Sequence, residues 1–332
     1  MTRSGSRFIA LVAGAGMFSL ISLACSRHDR GGGQGAELTQ ISLRLPIPVV
    51  DAAFAPYFLA QDAGIFKRHG LEVKIEPGSP ELNPVRMVDS GTNQFGVVGG
   101  PELVMSGRAA GGKIKGIALL HKDANFPVIV TLKKSNMTRP QDLNGKKIGF
   151  FFGHISTDVL RAFLQEQHIT YESVDVGFNY GPLISGQLDA EWAFRTTGVL
   201  TLTGQGVNLN VIDPSAYGVV TQGHVIITSE KLIHDRPALV ASFVDSIREA
   251  CARGIAKPED FIQATAKRAP ALPAKLLSEQ VRIYNAAISR NSKFGVMDPA
   301  VLAGDARRQQ AAGILSKDLD VQAGFTNEFV GK

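Results

Sequence analysis

Cysteine is almost missing from this chain. Only Cys25 and Cys251 occur in 332 residues, far apart in sequence, so neither a disulfide framework nor a cysteine-built metal centre is expected. Catalytic signatures are missing too: there is no Gly-x-Ser-x-Gly, no His-Glu-x-x-His and no phosphate-binding loop ending in Gly-Lys-Ser/Thr. The glycine-rich "GRAAGGKIKG" follows a helical pattern instead of preceding one and reads as a loop. No repeat of fixed period occurs, which argues against a solenoid. Strong charge is absent as well. The formal net charge is +5, and two of the basic residues, Arg3 and Arg7, lie in a segment expected to be removed, a balance too mild to indicate nucleic acid. With 44% hydrophobic and 20% charged residues the body of the chain is globular, and disorder is confined to the ends.

What is present begins with a leader. "MTRSGSRFIALVAGAGMFSLISLAC" has a basic start, an apolar run from Phe8 to Ala24 and small residues before Cys25. That is the layout of a secretion signal over residues 1–24. Cys25 has two readings, because Ser-Leu-Ala suits ordinary cleavage and also resembles a permissive bacterial lipobox with Ser22 where Leu is commoner. Lipidated, it would anchor the protein to a membrane through buried acyl groups, with residues 25–37 as a flexible tether. Cys251, left without a partner, reads as a small buried apolar side chain.

From there strand-like and helix-like segments alternate, the pattern of α/β layering with parallel strands. "ISLRLPIPV", "LEVKIEPG", "QFGVVGG" and "IKGIALLHK" read as strands, and "APYFLAQDAGIFKRHG" and "PELVMSGRAAGG" as helices between them. At Pro127 an almost continuous β-branched run begins, and "RPQDLNGKKIGFFFGHISTDVLRAFLQEQHI" opens a second α/β block, with its helix beginning near Ser156. "VDVGF", "LDAEWAF" and "VNLNVID" supply further strands, and "GHVIITSE" reads as a return strand. From Arg236 onward the pattern is helical, each helix opening at or near a proline, where no amide hydrogen is missed. The expected organisation is a first lobe from 38–126 plus 226–332 with C-terminal helices and a second lobe from 127–225. Ligands of open α/β sheets sit beyond the carboxyl ends of the strands, so a cleft between the lobes is the place to look.

Four ordered segments carry more than periodicity: "APYFLAQDAGIFKRHGLEVKIEPG", "FGVVGGPELVMSGRAAGGKIKGIALL", "RPQDLNGKKIGFFFG" and "GQLDAEWAF". In this order they resemble the solute-binding proteins of nitrate, sulfonate, taurine and thiamine-pyrimidine-precursor importers, from about Ile41 to about Glu230. The resemblance implies a two-lobed periplasmic-binding-protein type II fold, two α/β lobes joined by two crossing hinge strands, with a helical C-terminal tail. It also implies a small-molecule ligand held between the lobes and handed to an ABC transporter permease, and through it to the ATPase. Such a protein would be an exported monomer of the periplasm or cell surface, without cofactor, metal, catalytic residue or nucleic-acid partner.

Carried onto this sequence, the resemblance implies five rims for the cleft. Asp51, Phe54 and Tyr57 form the first, although Asp51 also suits a turn cap and Tyr57 the core. Gly99, Gly100, Pro101 and Glu102 form the second, where paired glycines let a backbone approach a ligand and a carboxylate suits a helix start in any case. The third offers His154, Ser156 and Thr157, one of which serves as an N-cap. Asn179, Tyr180, Asp189, Glu191, Trp192 and Arg195 make the fourth, with the single tryptophan placed to stack a planar ligand or to sit in the core. Tyr217 comes from the fifth.

Glu102 and Asp158 fall in the first turns of two helices expected to face the cleft, and carboxylates there repel a small anion. A planar, aminopyrimidine-like heterocycle is therefore the expected ligand, with a sulfonate, nitrate or aromatic carboxylate as rivals. Two other classes compete. An enzyme of the thiamine-pyrimidine synthase kind would need a cysteine-rich motif that this chain lacks; a ligand sensor for a receptor kinase would share the fold.

Overall fold

The computed structural model describes residues 37–332 apart from Pro80, Gly153, His154, Lys317 and Lys332. The leader, Cys25 and His154 thus lie outside the described residues.

The first α/β block starts with β1 (Thr39–Arg44), whose Ile41 and Leu43 are buried by alternation. The strand stops short of Pro46 and Pro48, which cannot donate to a ladder. After a 3-10 turn come α1 (Ala55–Asp62) and α2 (Ile65–Arg68), one helical stretch broken at Gly64. Then follow β2 (Leu71–Glu76), α3 (Pro84–Asp89), β3 (Phe95–Val98), α4 (Pro101–Ala109) and β4 (Ile114–Leu119). The second block holds β5 (Pro127–Leu132), β6 (Lys146–Phe150), α5 (Ile155–Glu166), β7 (Tyr171–Asp175), α6 (Gly181–Ser185), β8 (Ala190–Phe194), a π turn over Arg195–Val199, α7 (Leu200–Gly204) and β9 (Leu209–Ile212). β10 (Val225–Ser229) returns to the first block. The chain ends in α8 (Glu230–Asp235), α9 (Pro237–Ala256), α10 (Pro258–Ala266), α11 (Ala274–Ser289) and α12 (Pro299–Ala311).

Two five-stranded sheets result, in the orders β2-β1-β3-β10-β4 and β7-β6-β8-β5-β9. Within each, three neighbouring strands are parallel, and β10 in the first sheet and β5 in the second run against their neighbours. Both faces of each sheet are covered, as parallel strands require. In the first lobe α1, α9, α10 and α11 close one core, and α4 and α12 the other. Cys251 lies in the former, fully buried, and burial drives its thiol pKa upward. In the second lobe α5 covers one face, with Trp192 in that core, and the α6–α7 side covers the other.

The lobes are joined by two crossing segments, 120–126 and 213–224, which pair with one another. Leu120 N–H donates to His224 O at 2.8 Å and Gly223 N–H to His121 O at 2.8 Å. Asp123 and Gln222 exchange two hydrogen bonds, and Thr221 N–H donates to Asn125 Oδ1 at 2.9 Å. Asp123 and Asn125 take φ values of 45° and 48°, a left-handed conformation that Asp and Asn tolerate better than most residues. Carboxyl ends of the parallel strands of both sheets lie on the side of these crossings, so the loops that follow them face each other.

Candidate ligand-binding cleft

At the hinge end, the loop after β1 carries Asp51. Its Oδ1 accepts from Ala53 N–H at 2.8 Å. Burial pushes its pKa up to about 6, against the lowering effect of hydrogen bonds from Ala53 N–H and the Tyr284 hydroxyl. That hydroxyl, from α11, lies 3.5 Å from Asp51 Oδ2 and 3.0 Å from Thr196 Oγ1 in the π turn of the second lobe. One helical turn earlier, Gln280 Nε2–H donates to Thr196 O at 3.0 Å. Helix α11 thus ties a first-lobe loop to a second-lobe turn.

Around this tie sits an aromatic cluster. Phe54 stacks on His224 with centroids 5.3 Å apart and planes 13° from parallel. His121 lies 5.0 Å from both His224 and Tyr284, and Phe126 packs edge-on against Tyr284. Each crossing segment contributes one of the two histidines, and His224 N–H donates to His121 Nδ1 at 3.3 Å. Burial lowers the pKa of His224 to about 4, opposed by a hydrogen bond with the Ala53 main chain, and that of His121 well below the ordinary value. Both are neutral imidazoles at neutral pH. Arg195, at the end of β8, donates through Nε to Asn125 O and pairs with Asp213 at 2.5 Å, so its charge is already met.

On the second rim, Gly100 caps α4 with an extended backbone. Glu102 folds back over it so closely that a Cβ there would lie 2.3 Å from Glu102 Oε1. Burial raises the pKa of Glu102 to about 8; a hydrogen bond from its own N–H lowers it and the neighbouring Asp305 raises it. At neutral pH it is largely a neutral acid able to donate a hydrogen bond. The expected repulsion of an anion by this residue is correspondingly weak. On the third rim Ser156 and Thr157 are buried, and Thr157 Oγ1–H is spent on Phe151 O at 2.6 Å.

Trp192 does not line the cleft. It is fully buried, its Nε1–H donates to Gly177 O at 3.0 Å, and its ring is covered by Phe151 and Phe178 at 6.0 and 5.4 Å and flanked by Phe194 at 5.3 Å. Phe194 packs against the cores of both lobes. The result is a row of rings running from the hinge to the loop after β7, where Phe178 is 61% exposed. Asn179, next to it, spends its Oδ1 on Gly181 N–H.

Three further residues named from the sequence are placed as follows. Asp189 precedes β8 and bonds the Lys147 main chain at the start of β6, a strand length from the carboxyl ends that face the cleft. Tyr57 is fully buried in the first-lobe core, with Cys251 near enough to perturb its hydroxyl, because an aromatic three residues into α1 points inward. Tyr217 packs against Phe163 in the middle of α5, at 5.7 Å, away from the helix start. Sequence reasoning missed His121, His224, Thr196, Tyr284 and Phe178. It named Glu191 without its main feature: the residue is fully buried, neither carboxyl oxygen has a partner among the described residues, and burial raises its pKa to about 8.

A family model described as NMT1/THI5 like matches residues 51–261. The chain belongs to that family. This NMT1/THI5-like protein is 25% identical over 312 residues to the riboflavin-binding protein RibY of Chloroflexus aurantiacus, covering 88% of this chain and 86% of that one. It is 34% identical over 140 residues to the 4-amino-5-hydroxymethyl-2-methylpyrimidine phosphate synthase THI13 of Saccharomyces cerevisiae, over only 41% and 40% of the two chains. Among solved structures, the alkanesulfonate-binding protein SsuA of Xanthomonas axonopodis pv. citri bound to MOPS superposes with a TM-score of 0.68 at 16% identity, over 88% of this chain and 99% of that one. SsuA of Escherichia coli gives 0.69 at 15% identity, over 86% and 91%. These likenesses show the fold, that of type II periplasmic binding proteins. No helix among the described residues is long and apolar enough to cross a membrane.

Proposed function

We propose that the chain is the extracytoplasmic solute-binding protein of an ABC importer, which traps a small planar heterocycle between its lobes and delivers it to the permease unchanged. The observation that carries this reading is the pair of crossing segments with left-handed Asp123 and Asn125 beneath two facing sets of loops. A few such residues can absorb a domain rotation while both cores stay intact. Asp51, Glu102 and Asn179 are the proposed ligand contacts from the first, second and fourth rims; Phe54, fully buried and stacked on His224, is not among them. Export by the leader and lipidation of Cys25 belong to the same reading, since a receptor of this kind works at the outer face of a membrane.

Support for a planar ligand comes from the aromatic lining of the second lobe and from Arg195 being paired with Asp213. A sulfonate or aromatic carboxylate is the second reading, favoured by the raised pKa of Glu102, which removes a negative charge from the second rim. A thermal-shift screen of the full chain against riboflavin, aminopyrimidines, nitrate, alkanesulfonates and aromatic acids separates the two. Ligand at 100 times its Kd stabilises by about 2.7 kcal/mol. A confirmed ligand that leaves the small-angle scattering profile unchanged, or that is chemically converted, contradicts the reading.

A further inference from the structure

Among the described residues large apolar side chains are exposed at few places, and two of these are phenylalanines on the second lobe, in the loops after β6 and β7. Phe152 is 44% and Phe178 61% exposed. Phe152 N–H donates to Asp175 Oδ1 at 3.2 Å, Trp192 Nε1–H holds Gly177 O, and Asn179 Oδ1 accepts from Gly181 N–H at 3.0 Å. Behind Phe178 stand Phe151, edge-on at 4.8 Å, and Trp192 at 5.4 Å. The exposed ring therefore packs against half-buried Phe151 and fully buried Trp192, which lowers the ordering cost of any contact it makes. Beside it opens a recess of about 480 Å³, lined near Phe178 by Phe151, Asp175, Val176 and Asn179 and running to Leu188 and Lys147 at the amino end of β6. That volume falls within the range of small-ligand sites.

Resting on the solute-binding reading above, we propose that Phe178 is the stacking platform for the ligand and so sets its class: a flat aromatic ring system bearing a hydrogen-bonding substituent that reaches the adjoining recess. The patch presents two rings, far below the area of about 1,000 Å² that a stable protein partner requires, so its occupant is a small molecule. A flat ring gains from an offset or edge contact with Phe178 as well as from lost water contact; a small inorganic anion gains neither. Trp192 acts beneath the platform as a positioning residue, through its ring and its hydrogen bond to Gly177.

The single tryptophan of the chain makes this testable. Riboflavin and 4-amino-5-hydroxymethyl-2-methylpyrimidine are titrated into the full chain, with calorimetry for affinity and tryptophan emission as the local probe. For the planar probe that binds, Trp192 emission should change on saturation, most of all with riboflavin, whose absorption overlaps tryptophan emission. Phe178→Ala should weaken binding by about tenfold or more, and Phe178→Tyr should restore it. Because Phe178 is exposed, both variants should fold, checked by unchanged melting without ligand. Binding that survives Phe178→Ala intact, or leaves Trp192 emission unmoved, overturns the platform and leaves the transport reading standing. If no planar probe binds and an alkanesulfonate does, the ligand class fails first and the platform with it; if nothing binds, both are rejected.

Discussion

The two ends of the cleft are built on opposite plans. At the hinge, polar and titratable groups from Asp51, His121, Thr196, His224 and Tyr284 are packed among aromatics and bonded to one another across the lobes. At the mouth, rings take over, and the outermost is left in solvent. A hinge must bend along one path and so gains from directional hydrogen bonds, whereas a capture surface gains from a rigid apolar face that water leaves readily. On the proposed function, the difference separates where the protein would bend from where it would hold its ligand.

The sharpest way to break that contrast is to remove the layer under the mouth. Trp192→Ala deletes a fully buried ring and its hydrogen bond to Gly177. A loss of about 3–5 kcal/mol is expected from urea unfolding, together with weaker ligand binding, whereas Phe178→Ala should reduce binding alone. A Trp192→Ala protein as stable as the parent would mean that the row of rings supports nothing.

Acid and base should attack the protein at different places. His224 has its folded pKa lowered to about 4 from an ordinary 6.5. Between those values the unfolded chain takes up a proton that the native protein refuses, so stability falls as pH drops through that window, by up to about 1.4 kcal/mol per pH unit for one group. Asp51, raised to about 6, binds its proton better in the native state and works the other way as pH falls toward its ordinary value. Glu102 and Glu191, raised to about 8, stay protonated in the folded protein while the unfolded chain ionises above 4.5, and stability declines as pH rises toward 8. Substituting His224→Gln should remove the loss of stability that accompanies a fall in pH from 6.5 to about 4, and Glu102→Gln part of the loss that accompanies a rise from 4.5 to about 8. Identical curves for both variants would erase the assignment.

Much of this was legible in the order of residues. Alternation at Ile41 and Leu43, the β-branched run after Pro127 and the prolines opening α9, α10 and α12 place their elements because local sequence dictates them. Direction along a strand was also available: Asp189 stands before β8 and could have been assigned to its amino end. Contacts across the hinge were not readable. His121 and His224 meet at a separation of 103 residues and Tyr284 approaches Asp51 at 233, and no local pattern encodes such meetings. Phe178 was hidden for a different reason, since "VDVGF" reads as one strand. The strand ends at Asp175, and Gly177, at φ 57°, turns the next residue out of the ladder into solvent.

The smallest effect concerns the second rim. Gly100 has φ −173°, an extended backbone that any residue adopts, so Gly100→Ala carries no conformational strain. Its Cβ would nevertheless fall 2.3 and 2.4 Å from the two carboxyl oxygens of Glu102. Those oxygens end a flexible side chain, which can swing outward at little cost, and a stability change below about 1 kcal/mol is expected. Swinging carries the carboxyl toward water and away from the neighbouring Asp305, both of which favour ionisation. The decline of stability as pH rises from 4.5 to about 8 should then flatten in Gly100→Ala toward that of Glu102→Gln, while the fall due to His224 is retained. A large loss of stability with that decline unaltered would show that Gly100 is needed for backbone packing, and that the carboxyl above it is held by something other than the missing side chain.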